Sequence, residues 1–316
     1  MEQAFSVILP VIAVILIGYL AALRGLLSDE QVAALNRFVF VISSPALLFR
    51  NVALTEFPAV IPWGLWLSYY GGLMVIMALG FFAARFVFRE GPATARIIFG
   101  FGSAFSNTVM LGIPIILTAF GPAAGLPLFL VLAFHGILAF TLVLSSMEFA
   151  TNPQAGFKSV LPKLLRTIRE QIVMLALLAG VIWNFIGLGL AAPVDRFLDL
   201  LGSAAIPVAL VAIGGRLAFI SIKAAFVSAL MISVFKLVLM PLTVYALAHY
   251  VFGLPPLFTA TITVLAAMPS GVFTAVFAAQ YETAEDTASS TIVISTLLGA
   301  VTLAFWLTFF ADLLVV

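Results

Sequence analysis

Residues 106–115 read SNTVMLGIPI and residues 266–281 read AAMPSGVFTAVFAAQY. Each sets a proline, Pro114 or Pro269, among glycine and hydroxylated residues inside a long apolar run. A proline within a helix removes a backbone donor and clashes with the carbonyl four residues back. In lipid, backbone groups freed that way are tolerated only where protein or a water-filled cavity covers them. Gly112 and Ile113 precede Pro114, and Ser270 and Gly271 follow Pro269, which favours true breaks. A simple kink is the alternative at either proline taken alone. The two prolines are 155 residues apart, and the chain around them repeats at a similar distance. Gly18, Gly25 and Pro45 return as Gly180, Gly187 and Pro207, each offset by 162, and Arg37-Phe38 returns as Arg196-Phe197, offset by 159. Five spans per half, an odd number, would insert the second half upside down. Inverted repeats with discontinuous helices belong to secondary transporters, with substrate near the midplane where the breaks meet.

Composition agrees with a membrane setting. Of 316 residues, 64% are hydrophobic and 9% charged. About 20 apolar residues span a hydrocarbon core. Runs of that order recur along the whole chain, predicting an all-α integral membrane protein. A β-barrel is excluded because barrel strands alternate. A net charge of +1 leaves no nucleic-acid footprint. The chain has no cysteine, hence no thiolate or Cys-based metal chemistry, and no cofactor is expected. The two histidines, His135 and His249, are too far apart in sequence to suggest a metal cluster. Met1-Glu2-Gln3 lacks the basic start of a cleavable signal, so the first span is expected to stay.

Ten spans are read at roughly 4–23, 32–54, 62–86, 95–119, 125–149, 171–190, 196–219, 224–251, 257–279 and 288–311. With the N-terminus outside, eleven of the fourteen Lys and Arg residues fall on the cytoplasmic side: Arg24, Arg37, Arg85, Arg89, Arg96, Lys158, Lys163, Arg166, Arg169, Arg216 and Lys223. Arg50 and Arg196 fall outside, and Lys236 lies within a span. The positive-inside rule then predicts a multi-pass cell-membrane protein with both termini outside. Residues 1–150 form the first five-helix repeat, 151–170 a cytoplasmic seam and 171–316 the second repeat. The seam, FKSVLPKLLRTIRE at 157–170, has leucines at helical spacing among basic residues and suits an amphipathic helix on the anionic inner leaflet. It reads either as a topology anchor or as a docking site for a regulator.

Helix starts at the two breaks would turn free N–H groups and the positive end of the dipole to the midplane, which suits an anion. Gly112, Pro114, Pro269 and Gly271 shape that place, and Ser106, Thr108, Ser270 and Thr274 offer hydroxyls. Asn107, two turns before Pro114, can donate to a carboxylate and accept from a carboxylic acid. Its alternative role is an interhelical hydrogen bond. Lys236 lies 13 positions after Lys223, about 20 Å deep along a helix. A mid-span lysine costs roughly 2.5–3.5 kcal/mol on an insertion scale. No mid-span carboxylate offsets this, so its ammonium is expected to neutralise the carbonyl ends of the broken helices, in place of a sodium ion. A lysine on a bundle face without a transport role is the alternative. His135, in the fifth span, either contacts substrate or protons, or is a hydrogen-bonded core residue. Glu148 at the end of that span faces headgroups or a basic loop residue. Arg50 and Arg216 either guide anions or anchor at the interface. No G-x-S-x-G context makes Ser270 and His135 a nucleophile and base, so the chain does not read as an enzyme.

The chain resembles the auxin efflux carrier family, which includes plant PIN carriers and bacterial carboxylate permeases. The residues that carry the resemblance are LIGYLAALRGLLSDEQVAALNRFVFVISSPALLF at 16–49, the two break motifs, LDLLGSAAIPVALVAIGGRLA at 198–218, KLVLMPL at 236–242 and STLLGAVTLAFWL at 295–307. They run over nearly the whole chain. The resemblance implies an elevator-type carrier on the crossed-helix architecture of sodium–proton antiporters and bile-acid symporters. Helices 1, 2, 6 and 7 would form the scaffold. Helices 3–5 and 8–10 would form the transport domain, with 4 and 9 crossing at their breaks. It also implies a homodimer through the scaffold and a substrate-contacting asparagine at Asn107. The long cytoplasmic loop of many plant members is absent here. The expected partner is a small organic anion. A sodium- or proton-coupled symporter or antiporter, or an anion channel, remains open.

Overall fold

In the computed structural model, residues 2–55, 62–87, 91–152, 157–219 and 225–314 are described. Arg89 and Lys223, two of the residues assigned to the cytoplasmic side, lie outside them. The described residues are helical, with no strand beyond one isolated bridge between Ser106 and Ser270. Among the described residues, six helices are long and apolar enough to cross a membrane: 29–54, 63–87, 122–151, 192–219, 226–251 and 285–311. Four shorter apolar helices accompany them: 12–23, 108–120, 172–186 and 256–266.

In chain order the first half begins with α1 (Glu2–Leu23), α2 (Asp29–Phe38) and α3 (Ser44–Leu54). It continues with α4 (Trp63–Val87), α5 (Ala93–Ala104), α6 (Ile113–Phe120) and α7 (Gly125–Thr151). The seam forms α8 (Phe157–Glu170). The second half starts with α9 (Ile172–Ile186), α10 (Ala192–Ser203) and α11 (Ala205–Phe219). It then runs through α12 (Phe226–Val234), α13 (Met240–Ala246), α14 (Pro256–Ala266), α15 (Phe273–Gln280) and α16 (Glu285–Leu314).

Three prolines share one local device. Wide π-turns cover Val39–Ser43, Thr108–Gly112 and Phe235–Leu239, and Pro45, Pro114 and Pro241 each sit at the second position of the helix that follows. A proline at a helix start loses no bond, because the first amides have no intrahelical partner. Where the rod continues through it, the wider turn shifts the carbonyls the ring would strike. Pro114 is therefore accommodated without a break. The chain departs from the helix earlier, at Phe105–Asn107, between α5 and the turn starting at Thr108. In the second half the interruption surrounds Pro269, between Ala266 and Phe273.

The repeated glycines occupy matched places. Gly25 and Gly187 both take left-handed backbone, with φ of 72° and 74°, after α1 and α9. Such a conformation suits glycine because a Cβ would crowd the backbone. Gly18 of α1 packs where a Cβ would come within 2.1 Å of the Val211 carbonyl of α11. Gly180 of α9 packs where a Cβ would come within 3.0 Å of the Phe49 carbonyl of α3. Phe49 and Val211 are themselves offset by 162, so the two contacts are copies of each other. Small residues let membrane helices approach closely enough for backbone packing. Asn184 of α9 fixes the same seam by donating to Val52, Ala53 and Thr55 carbonyls at 3.1, 3.0 and 2.7 Å, closing the end of α3.

Candidate functional site

The two breaks close on each other. Asn107 donates its backbone N–H to the Pro269 carbonyl at 2.8 Å, and Gly271 donates to the Phe105 carbonyl at 2.9 Å. These bonds flank the Ser106–Ser270 bridge and give it local two-fold symmetry. Backbone groups interrupted in both helices therefore satisfy each other inside the protein, as an apolar surround requires. The Ser270 N–H is met by Ser295 Oγ at 3.1 Å. Gly271 is tightly held, since a Cβ there would lie 2.5 Å from the Phe105 ring and 3.0 Å from the Ser106 carbonyl.

A cavity of about 70 Å³ lies against this crossing. The first break supplies Phe105, Ser106, Asn107, Thr108 and Val109, and the second supplies Gly271, Val272 and Phe273. Leu132, His135, Gly136 and Phe140 of α7 line another wall, with Phe40, Gln171, Met174 and Leu177 opposite. The starts of the 108–120 helix and of α15 thus border the same space. First-turn amides generally lack intrahelical partners. Here the Thr108 N–H is taken by the Ser106 carbonyl at 2.9 Å, and those of Thr274 and Ala275 by the Gly271 and Val272 carbonyls at 3.1 Å each, which leaves the other first-turn amides. Together with the dipole they favour an anion there. The Asn107 carboxamide has no hydrogen-bond partner among the described residues, and the residue is 8% exposed, into this cavity.

Of the site residues read from the sequence, the cavity gathers Asn107, Ser106, His135 and Gly271, together with Thr108. Gly112 packs on Leu265 and Met268. Pro114 lies beside Ser44, Leu47 and Ala209, and Pro269 lines a separate apolar crevice with Tyr19 and Thr296. Ser270 and Thr274 share a hydroxyl contact of 3.2 Å, packed close to Gly102. These five do not line the cavity. Sequence reading did not single out Phe40, Phe105, Gln171 or Met174. Gln171, a lone amide at the start of an apolar run, was the one visible signal.

Lys236 is fully buried on the π-turn Phe235–Leu239, and its ammonium donates to the Ala266 carbonyl. Ala266 is the last residue of α14, where unpaired carbonyls carry the negative end of the dipole. The crossing therefore presents helix starts to the cavity and has the Lys236 side-chain nitrogen at one of its helix ends. Outside the spans, Lys163 of α8 pairs with the buried Glu148 of α7, and that hydrogen bond holds the Lys163 ammonium above its ordinary range. No group of three or more potential metal ligands occurs among the described residues.

Residues 3–307 match the family model described as Membrane transport protein. The chain is 30% identical over 302 residues to a Rhizobium meliloti (strain 1021) protein named "Putative malonate transporter", covering 96% of this chain and 94% of that protein. It is 26% identical over 311 residues to an "Uncharacterized transporter" of Methanothermobacter thermautotrophicus, covering 95% and 96%. A segment of 158 residues, 46% of this chain and 26% of the relative, is 29% identical to the rice (Oryza sativa subsp. japonica) "Probable auxin efflux carrier component 3b". With the match running almost end to end, the chain belongs to the membrane transport protein family, that of the auxin efflux carriers.

Proposed function

We propose that this protein carries a small carboxylate across the cell membrane by elevator-type alternating access, with the anion held at the crossing of the two broken helices. The observation that carries this reading is the cavity bordered by two helix starts and the unpartnered Asn107 carboxamide. Ten spans in two inverted five-helix repeats form the frame, with both termini outside. The matched Gly18–Val211 and Gly180–Phe49 contacts support the repeat. So do the symmetric bonds of the bridge. In this reading the helices packed through those glycines are the fixed scaffold, through which two copies pair. α4–α7 and α12–α16 move with the substrate.

Asn107 donates to the carboxylate, and the helix starts supply the rest of its solvation. Lys236 neutralises the end of α14, a place a coupling sodium ion would otherwise fill. This favours a sodium-independent carrier over a sodium-coupled one. The malonate in the name of the Rhizobium relative points to short acids.

Counterflow in proteoliposomes tests the reading. Uptake of labelled malonate, accelerated by unlabelled malonate inside, is the expected result. Uptake without acceleration would indicate a channel, and no uptake of any acid by folded protein would end the carboxylate assignment.

A further inference from the structure

Three buried polar side chains gather behind the first break without protein partners. Neither ring nitrogen of His135 is hydrogen-bonded, and Tyr69 Oη and Ser106 Oγ also lack partners among the described residues. All three side chains belong to residues at least nine-tenths buried. They form one group. The Tyr69 ring meets the His135 ring edge to face, with centroids 5.6 Å apart. The Tyr69 hydroxyl approaches the Ser106 side chain and the His135 ring approaches the Ser106 backbone, but neither contact reaches hydrogen-bond geometry. Phe105 stacks flat on His135, with centroids 4.9 Å apart and planes 9° from parallel. Ser106 and His135 line the cavity next to Asn107.

A buried donor or acceptor left unmade costs its full desolvation, and native proteins keep few of them. Four such atoms in one corner, closed off from the adjoining cavity in this conformation and with Tyr69 behind its wall, call for an occupant that satisfies them when the site opens toward them. The neighbouring Tyr70 is not among them, because its hydroxyl donates to the Val131 carbonyl at 2.6 Å. The group can offer three donors: two hydroxyls and one N–H of a neutral imidazole. No Asp or Glu lines the cavity among the described residues to compete for them. The matching occupant is rich in acceptor oxygens.

We propose that Tyr69, Ser106 and His135 form a second oxygen-binding subsite, so that the transported acid has two polar ends. One carboxylate sits at Asn107 and the helix starts, and a second carboxyl or hydroxyl group meets this trio. The proposal rests on the carboxylate-carrier reading and narrows it to short, doubly oxygenated acids, with Tyr69 as a specificity residue. Size agrees. At roughly 10–15 Å³ of such volume per water, about 70 Å³ holds about five to seven waters, which suits a three- or four-carbon acid and not a fused aromatic ring. Discrimination should be steep, because a site built to hydrogen-bond an oxygen rejects the analogue lacking it far more strongly than it senses a methylene.

The test is counterflow of labelled malonate and labelled propionate in proteoliposomes, for the intact protein and for Tyr69→Phe and Ser106→Ala. The intact protein should prefer malonate by at least about tenfold. Each variant should narrow that preference by about tenfold through loss of malonate exchange, with propionate exchange retained. Retained propionate exchange and an unchanged melting temperature separate this from misfolding. If both folded variants keep the intact protein's preference, the trio holds water only and the subsite is overturned, with the carboxylate reading intact. If propionate or indole-3-acetate outcompetes malonate in the intact protein, the subsite is equally overturned. If the folded protein exchanges no acid at all, the carboxylate reading falls and takes the subsite with it.

Discussion

The backbone amide of Asn107 donates to the carbonyl of Pro269 at 2.8 Å, so that a residue lining the cavity is fixed by the opposite broken helix. The return bond from Gly271 to Phe105, at 2.9 Å, makes the two breaks one unit. The interrupted backbone of each break is thus bonded to the other, which ties the two segments together at this point.

Gly271→Ala tests that unit. The added methyl would meet the Phe105 ring at 2.5 Å and the Ser106 carbonyl at 3.0 Å. Because the ring is itself clamped on His135, it has little room to move. The expected outcome is a lower melting temperature, by roughly 1–3 kcal/mol of overpacking, together with loss of exchange. Unchanged exchange would show that the bridge is looser than its geometry implies.

Asn107→Ala removes a side chain without disturbing the bridge, which uses only backbone atoms. Exchange of malonate should fall by about tenfold or more while folding stability stays within about 1 kcal/mol, since no partner among the described residues is lost. Asn107→Asp should be worse than Asn107→Ala, because a carboxylate there repels the anion. Equal exchange by the Asp variant would mean that the substrate does not approach this side chain.

The apolar runs, the proline-bearing motifs and the matched glycines made the helical membrane class and the meeting of two breaks legible in advance. Three details were not. Pro114 marks no interruption, because a π-turn absorbs it, and a π-turn has no distinctive composition. The second wall of the cavity comes from α9 and Phe40, residues brought there by packing across the repeat that no local pattern records. Arg50 and Arg216 read either as anion guides or as interfacial anchors. Only the fold shows that Arg50 bonds Asp195 at 2.6 Å and Asp199 at 3.3 Å, and that Arg216 bonds Asp29 at 2.5 Å.

Those ion pairs predict a structural rather than a steering role. Arg50 to Arg216 and Asp29 to Asp195 are both offset by 166, so the pairs are counterparts at opposite ends of two packed helices. The Arg50 pair is the more shielded, with side chains 25% and 34% exposed against 51% and 58% for Arg216 and Asp29. Double-mutant cycles on thermal unfolding should give a small coupling for Arg50–Asp195 and a smaller one for Arg216–Asp29. The KM for substrate should not change in Arg50→Ala. A raised KM at unchanged stability would restore anion guidance.

Lys163→Met should loosen α8 from the body of the protein, since Glu148 of α7 accepts a hydrogen bond from the Lys163 ammonium. The bond raises the Lys163 pKa above its ordinary 10.5. A raised cation stabilises the attachment fully below the unfolded value and ceases to do so as pH rises past the folded one. Limited proteolysis within 152–170 should therefore be slow and insensitive to pH near neutrality, and should accelerate only above about pH 10.5. In Lys163→Met it should be fast already at neutral pH. Equal rates for both proteins would show that the apolar face of α8 alone holds it in place.

Lys236→Met separates a structural cation from a working one. The side chain is fully buried and its ammonium bonds the Ala266 carbonyl at the end of α14. Methionine fills similar space, and replacing a buried charge by an apolar side chain is often neutral or stabilising where no opposite charge is stranded. Among the described residues no carboxylate is hydrogen-bonded to Lys236, so the melting temperature should hold or rise. Transport should nevertheless be lost, because the carbonyl end of α14 then lacks its cation at the crossing. If the end of α14 has room for a free cation, millimolar sodium should restore part of the exchange in the variant and leave the intact protein unaffected. A variant that exchanges malonate at the normal rate without sodium would show that the lysine only fills space.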